Sequence, residues 1–121
     1  MLVQTGIDAV ELSRMEKSMQ SAHFVKRILG KQEYTYYREK GFPVESIAAA
    51  WAAKEAFSKC LGTGFRGFSL SDVQVLHTPL GKPYLFLSEE LQAQTEGWSL
   101  DVSLTHTKEL AMAVVVAIKE D

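Results

Sequence analysis

The sequence lacks the features of a secreted, membrane-embedded or nucleic-acid-coating protein. Its 121 residues include one cysteine, Cys60, so no disulfide forms within the chain and a reducing, cytoplasmic setting is expected. No apolar run approaches the roughly 20 residues that cross a bilayer, and no basic region precedes an apolar one, so neither membrane insertion nor export is expected. The formal net charge is −2, which provides no overall positive field for a nucleic acid.

The length and composition predict one ordinary domain over residues 1–121. Hydrophobic residues make up 46% and charged residues 23%, close to the average for folded proteins, which disfavours disorder and coiled coil. Residues 1–40 hold seven basic and five acidic side chains. A solvated helical face and a binding surface for an acidic partner explain that small excess equally well.

The order of apolar patterns and turn formers predicts the fold class. Predicted strands cover residues 1–7, 68–77, 84–87, 99–104 and 111–118, and predicted helices cover residues 9–20, 24–29, 31–40, 44–61 and a short segment from Ser88. Gly62 stands where the long helix needs a C-terminal cap. Helices first and strands later indicate an α+β fold, with helices packed on one face of a mainly antiparallel sheet.

Asp8 lies at the predicted junction of the first strand and the first helix. Glu11 follows three residues later, which is the spacing of a capping box, so a helix N-cap is the favoured interpretation of Asp8. The functional alternative is that Asp8 and Glu55 present oxygen ligands to a hard divalent cation. Magnesium suits two carboxylates, because it keeps several waters and accepts further oxygens from a phosphorylated substrate.

Glu55 and Lys59 are four residues apart on the predicted helix 44–61 and share a face with Trp51. The favoured interpretation is an ordinary surface salt bridge worth about 0.3–0.5 kcal/mol. A ligand or another chain could also approach this face, because alanines are frequent along it. Helical periodicity does not decide between the two.

Two further segments have ordinary interpretations beside functional ones. Residues 62–67 are rich in glycine, but they follow a helix C-terminus and lack the Gly-Lys-Ser/Thr ending of a P-loop, so a cap and a turn are predicted. His106 stands between two threonines where a strand ends, and a structural histidine is at least as well supported there as a ligand-binding one. Cys60 is predicted to be a small core residue, and His23 and His77 have no companions that would make them metal ligands.

Taken in order, several segments resemble the small holo-acyl-carrier-protein synthases of the 4′-phosphopantetheinyl transferase superfamily. These segments are Gly6-Ile7-Asp8, Glu11 with Arg14, Trp51 to Lys59, Gly62-Thr63-Gly64, Gly81-Lys82-Pro83 and Ser103 to Thr107. The resemblance runs from about residue 2 to residue 118. It implies transfer of the 4′-phosphopantetheine arm of coenzyme A to a serine of apo acyl carrier protein, with release of 3′,5′-ADP, in fatty acid biosynthesis.

The resemblance also implies roles for individual residues. Asp8 and Glu55 would bind the metal, magnesium or alternatively manganese; Glu55 would help remove the serine proton, and Lys59 would stabilise the departing phosphate. Coenzyme A would contact Lys59, Gly62, Gly81, Lys82, Pro83, His106 and Thr107. The acidic carrier protein would dock on Arg14, Lys17, Phe24, Lys26 and Arg27.

Relatives of this size are homotrimers with an active site at each subunit interface, so Asp8 and Glu55 of different chains could meet in one site. This chain departs from the family at Ala50, where many relatives have arginine, and at 41–44, where no basic residue stands. Lys40, Arg66 and Lys82 are the candidates for holding the 3′-phosphate instead. Two other functions stay open: a catalytically weak module that binds coenzyme A or carrier protein, and a structural trimer without a small ligand.

Overall fold

The computed structural model describes residues 1–62 and 67–121. Its elements are β1 (Leu2–Glu11), α1 (Leu12–Ser18), α2 (Ala22–Ile28), α3 (Lys31–Glu39), α4 (Val44–Leu61), β2 (Val73–His77), β3 (Pro83–Leu87), α5 (Glu89–Gln94), β4 (Trp98–His106) and β5 (Leu110–Lys119). A short 3₁₀ turn, Leu70–Asp72, precedes β2. The predicted α+β class is confirmed. Within the described ranges, no helix is both long and apolar enough to cross a membrane.

The strands form two antiparallel sheets. One has β5 between β1 and β4, and the other is the β2–β3 hairpin. The inner face of β5 carries the buried residues Ala111, Ala113, Val115 and Ala117, and α4 packs against β5 and β1. These side chains are small, so the helix lies close to the sheet.

Helix α4 has the predicted bounds. It contains neither glycine nor proline, alanine favours it, and Gly62 ends it in the left-handed region at φ +76°. Its buried alanines are Ala48, Ala49, Ala50, Ala52, Ala53 and Ala56. Gly6 on β1 permits the closest approach, because a Cβ there would lie 1.8 Å from the carbonyl oxygen of Ala56.

Strand β1 is longer than predicted, and the predicted cap at Asp8 is wrong. Asp8 lies inside the strand opposite Ala113, and pairing with β5 continues to Glu11 opposite Leu110. The first helix therefore begins at Leu12 rather than at residue 9, and its N-cap, Glu11, makes no side-chain capping bond. Pairing with β5 satisfies the backbone groups that an early helix would otherwise have used.

The predicted strand 68–77 is shorter in the structure and begins at Val73. The Asp72 carboxylate accepts a hydrogen bond from the Ser69 N–H at 2.9 Å, which closes the preceding turn instead of extending the strand. The start of α5 is confirmed, because the Ser88 hydroxyl accepts from the Leu91 N–H. Cys60 is buried in the core, as predicted. The predicted turn at Thr63, Gly64 and Arg66 lies outside the described residues.

Candidate active site

Asp8 and Glu55 line one cavity of about 280 Å³ between β1, α1, α2 and α4. Asp8 is on the inner face of its strand and its side chain is 17% exposed. Burial raises the pKa of Glu55, and the negative charge of Asp8 raises it further, while Lys59 lowers it. The carboxylates therefore lie close enough to repel each other. One chain brings both together, so no second copy is needed for this pair.

The ammonium of Lys59 holds Asp8. Its Nζ donates to Asp8 Oδ1 at 3.1 Å and to the Ile7 carbonyl oxygen at 3.0 Å. The predicted Glu55–Lys59 salt bridge is wrong: among the described residues, Lys59 forms its ion pair with Asp8. Since the Lys59 side chain is 55% exposed, its long stem can change partners when an anion arrives.

The two carboxylates fit a hard divalent cation. They are like-charged and adjacent, so a cation between them would relieve their repulsion. No group of three or more His, Cys, Asp or Glu side chains suited to a metal occurs in ranges 1–62 and 67–121. A site with two protein carboxylates leaves positions for water and for phosphate oxygens, which is the coordination that magnesium prefers.

The far wall of this cavity is apolar and aromatic. Trp51 stacks on Phe24, with ring centroids 5.9 Å apart and planes at 28°. Met15 is buried beside them and Arg14 borders the same cavity. Two of the predicted docking residues, Arg14 and Phe24, are therefore next to the carboxylates. The other docking residues, Lys17, Lys26 and Arg27, are exposed in the last turns of α1 and α2.

His106 and Thr107 are not in the carboxylate cavity. His106 is exposed at the end of β4 and lines a separate cavity of about 270 Å³ with Lys40, Ser46 and His77. No hydrogen bond of the His106 side chain occurs in the part of the chain that the structure describes. The Thr107 hydroxyl accepts from the N–H groups of Glu109 and Leu110 and so stabilises the turn before β5.

The Gly81-Lys82-Pro83 turn also lies apart from Asp8 and Glu55. Gly81 takes φ +94°, and the Thr78 N–H donates to the Lys82 carbonyl at 2.9 Å. Lys82 Nζ pairs with Asp101 on β4 at 2.9 Å, and both side chains are exposed. The turn thus borders the outer face of the three-stranded sheet.

Strands β1 and β5 make most of that outer face apolar, while β4 contributes Ser99, Asp101 and Ser103 to it. On β1, Val3 is 54% and Ile7 59% exposed. Ile7 pairs across the sheet with Val114, and Val3 with Ile118. This outer sheet face, defined by Val3, Ile7, Val114, Val116 and Ile118, has no covering element among the described residues.

Sequence reasoning missed two charged residues in the core, Glu33 and Lys54. Both side chains are fully buried and form an ion pair at 2.6 Å. A signal for Lys54 was available: it follows Ala50 by four residues and precedes Phe57 by three, so a lysine occupies an otherwise apolar helical stripe. No comparable pattern marks Glu33 on the polar helix α3.

The chain is similar to known proteins over nearly its whole length. Residues 4–115 match the 4′-phosphopantetheinyl transferase superfamily. The chain is 39% identical over 119 residues to holo-[acyl-carrier-protein] synthase of Clostridium beijerinckii, covering 96% of this chain and 97% of that one. The crystal structure of the Neisseria meningitidis holo-[acyl-carrier-protein] synthase superimposes with TM-score 0.90 at 35% identity, over 96% and 98% of the two chains. The Bacillus anthracis synthase, solved in complex with CoA (3′,5′-ADP), gives TM-score 0.82 at 35% identity, over 97% and 96%.

Proposed function

Because the chain belongs to the 4′-phosphopantetheinyl transferase superfamily, we propose here how its own residues carry out the transfer. The chain moves the 4′-phosphopantetheine arm of coenzyme A to a serine of apo acyl carrier protein, leaving 3′,5′-ADP. The sequence resemblance is thereby confirmed. One observation supports the residue roles: Asp8 and Glu55 line one cavity, and the ammonium of Lys59 pairs with the carboxylate of Asp8.

Asp8 and Glu55 are proposed to hold the divalent cation, magnesium or manganese. When bound, the cation neutralises charge on the pyrophosphate of coenzyme A. Asp8 supplies an oxygen from β1 and Glu55 one from α4, and the close packing at Gly6 sets how near the strand and the helix lie. This arrangement keeps the site open toward the cavity.

Glu55 and Lys59 are proposed to act on the reacting groups. Glu55 accepts the proton of the carrier serine, a role open to it because its carboxylate lines the cavity that Arg14 and Phe24 also border. The serine oxygen then bonds to the β-phosphorus, and the bond from that phosphorus to the oxygen bridging the two phosphates breaks. Lys59 turns from Asp8 to the departing phosphate, where its ammonium stabilises the added negative charge.

The carrier protein is proposed to dock beside the same cavity. Arg14 borders the carboxylates, and the stacked pair of Phe24 and Trp51 offers an apolar contact next to them. Lys17, Lys26 and Arg27 extend the positive charge along exposed parts of α1 and α2. An acidic partner is attracted to that surface, and its serine loop would enter at Arg14.

Lys40 is proposed to contact the 3′-phosphate. Ala50 stands where relatives have arginine, and its side chain has no charge that could hold a phosphate. Lys82 borders the outer sheet face rather than the cavity of His106, and Arg66 lies outside the described residues. Lys40 shares a cavity with His106, with its Nζ 5.1 Å from the Tyr36 ring centroid.

A homotrimer is proposed as the working form, each copy acting as one domain of residues 1–121. Two observations support it: β1 exposes the apolar side chains of Val3 and Ile7 on the outer sheet face, and His106 and Thr107 lie in cavities separate from Asp8. In such an assembly, His106, Thr107 and Lys82 of one copy would complete the site of the next. Sedimentation should then give three times the chain mass, and a monomer at working concentrations contradicts the proposal. The single cysteine favours the cytoplasm as the place of action. The reaction is proposed to serve fatty acid biosynthesis.

The proposed function is tested by measuring the intact mass of the carrier protein. Apo carrier, coenzyme A and the protein are mixed with magnesium, with manganese, or with a chelator. Addition of one phosphopantetheine arm with either metal and none with the chelator is expected. Transfer that is equally fast in chelator overturns the metal assignment, and binding without transfer indicates the weak binding module instead.

A further inference from the structure

The buried ion pair of Glu33 and Lys54 connects the long helix to two other parts of the fold. Lys54 Nζ lies 2.6 Å from Glu33 Oε1, and both side chains are fully buried. The same ammonium donates to the carbonyl oxygen of Leu70 at 3.0 Å and to that of Val73. Lys54 thus uses all three of its donors. Of these partners, Glu33 belongs to α3, Leu70 to the 3₁₀ turn before β2, and Val73 to β2 itself.

Glu33 is equally well satisfied. Its carboxylate accepts from the Gly30 N–H at 2.9 Å and from the Val75 N–H at 2.7 Å. Next to it, Gln74 Oε1 accepts from the N–H groups of Gln32 and Glu33 at 2.9 and 3.0 Å, which secures the first turn of α3. The start of α3, strand β2 and the middle of α4 therefore form one hydrogen-bonded network.

Stability alone does not account for this network. Burial raises the pKa of Glu33 and lowers the pKa of Lys54, which means that the core penalises both charges. Replacing a buried ion pair by apolar residues of similar volume is often neutral or stabilising. What the ion pair offers beyond an apolar pair is direction, because hydrogen bonds hold only at particular angles.

Helix α4 needs a directional contact. Its face toward the sheet is made largely of alanines, which pack closely but interlock little when the helix turns about its axis. Lys54 immediately precedes Glu55, and successive residues are about 100° apart around the axis. A rotation that broke the three bonds of Lys54 would also turn Glu55 and Lys59 away from Asp8.

We propose that the Glu33–Lys54 pair fixes the rotation of α4 about its axis. It thereby keeps Glu55 and Lys59 directed toward Asp8 on β1. Neither residue borders the cavity of Asp8 and Glu55, so both act through α4 as positioning residues. The proposal rests on the proposed roles of Glu55 and Lys59.

The test compares Lys54→Met with the double variant Glu33→Met/Lys54→Met. The single variant leaves a buried charge without its partner and should melt well below wild type. The double variant should recover only part of that loss, because it removes the unpaired charge but leaves the N–H groups of Gly30 and Val75 without their acceptor. Its kcat should nevertheless stay roughly tenfold to a hundredfold below wild type, as expected for misplaced catalytic groups. Its KM for the carrier should be close to wild type, because the docking surface is unchanged. Wild-type kcat in a stable double variant overturns the proposal.

Thr95→Ala is the matched control. Thr95 is also buried and polar, but its hydroxyl donates to Leu91 within α5. The control should lower the melting temperature without lowering kcat. An equal loss of kcat in Thr95→Ala would attribute the effect to general destabilisation and overturn the positioning role.

A spectroscopic readout reports the helix itself. The chain has two tryptophans: Trp51, one turn before Lys54 on α4, and Trp98 on β4. With 5-fluorotryptophan incorporated, the ¹⁹F resonance of Trp51 should shift or broaden in the double variant while that of Trp98 stays in place. If both resonances are unchanged, α4 has not rotated, and this result contradicts the proposal. If the double variant does not fold, Glu33→Gln is measured in the same way. We expect a lower kcat with an unchanged KM for the carrier, and a wild-type kcat would contradict the proposal.

Glu55→Gln, assayed alongside, separates the two proposals. An inactive Glu55→Gln with a fully active double variant refutes the positioning role alone. A fully active Glu55→Gln refutes the catalytic assignment on which it rests.

Discussion

Gly6 and Ala56 are in closer contact than any residue with a side chain at position 6 would permit. A Cβ on Gly6 would lie 1.8 Å from the Ala56 carbonyl oxygen and 2.8 Å from the Cys60 backbone nitrogen. This approach of β1 to α4 places Asp8, two residues after Gly6, beside Glu55 and Lys59. The packing of a strand on a helix thus sets the geometry of the carboxylate pair.

Gly6→Ala should therefore damage both the fold and the site. The added methyl meets backbone atoms, which cannot move aside as a flexible side chain can, so a loss of about 1–3 kcal/mol or more in the free energy of unfolding is expected. Urea unfolding measures it. Thr5→Ala, at the exposed neighbouring position, is the control and should stay near wild type. A Gly6→Ala protein as stable as wild type would show that α4 does not need this approach.

Lys40→Ala should reduce the preference for coenzyme A over 3′-dephospho-coenzyme A. A charge-assisted hydrogen bond to phosphate contributes about 1.5–3 kcal/mol, which corresponds to roughly tenfold to a hundredfold in kcat/KM. Lys31→Ala, exposed at the start of the same helix, is the control. Unchanged discrimination in Lys40→Ala combined with a loss in Lys82→Ala assigns the 3′-phosphate to Lys82 instead.

Arg14→Glu should slow capture of the acidic carrier protein. Arg14 borders the carboxylate cavity, so charge reversal repels the carrier and raises its KM, more strongly at low ionic strength than at high. The KM for coenzyme A should barely change. Lys119→Glu, at the far end of β5, is the control for net charge. A carrier KM that stays at the wild-type value in low salt would show that the docking surface lies elsewhere.

His77 should contribute a pH dependence to stability. Burial and the nearby charge of Lys40 lower its pKa below the ordinary 6.5, and its Nδ1 is buried without a hydrogen-bond partner among the described residues. Because the unfolded chain binds the proton more readily, the stabilising contribution is present above pH 6.5 and is lost as the pH falls through the lowered pKa.

Thermal melts at pH 7.5 and pH 5 should therefore differ more in wild type than in His77→Phe. Phenylalanine keeps the stacking on Tyr36, whose ring centroid is 5.1 Å from that of His77, but does not titrate. His23→Phe, at an exposed position, should leave the pH dependence as in wild type. Identical pH dependence in His77→Phe and wild type would show that His77 does not contribute to the pH dependence of stability.

The features predicted correctly from the sequence are those with local signals. Helix α4 has its alanines and the left-handed glycine at its C-terminus within a few residues of each other, so its bounds were predicted correctly. The ends of β1 depend on pairing with β5, about a hundred residues away in the chain. No feature of the sequence near Asp8 indicates that pairing. The capping-box spacing to Glu11 instead predicts a helix N-cap.

The candidate site shows the same division. The types and spacing of Asp8, Glu55 and Lys59 favoured ordinary interpretations, a helix cap and a surface salt bridge, and the resemblance to the transferase superfamily made these residues the site candidates. The partner of Lys59 was not predictable locally, because Asp8 lies 51 residues away and outcompetes Glu55 on the next turn of its own helix. The Glu33–Lys54 pair is likewise tertiary, and only the apolar surroundings of Lys54 on its helix hinted at a buried lysine.

Glu55 and Asp8 are proposed to form the metal-binding and proton-accepting centre of the transfer. Glu55→Gln keeps the shape of the side chain and removes one of two repelling charges, so the fold should melt no lower than wild type. Glu89→Gln, exposed on α5, is the matched control. The decisive measurement is the intact mass of the carrier protein over time with coenzyme A and magnesium. Addition of the arm should be slower by orders of magnitude in Glu55→Gln and unchanged in Glu89→Gln, whereas a wild-type rate in Glu55→Gln would contradict the account.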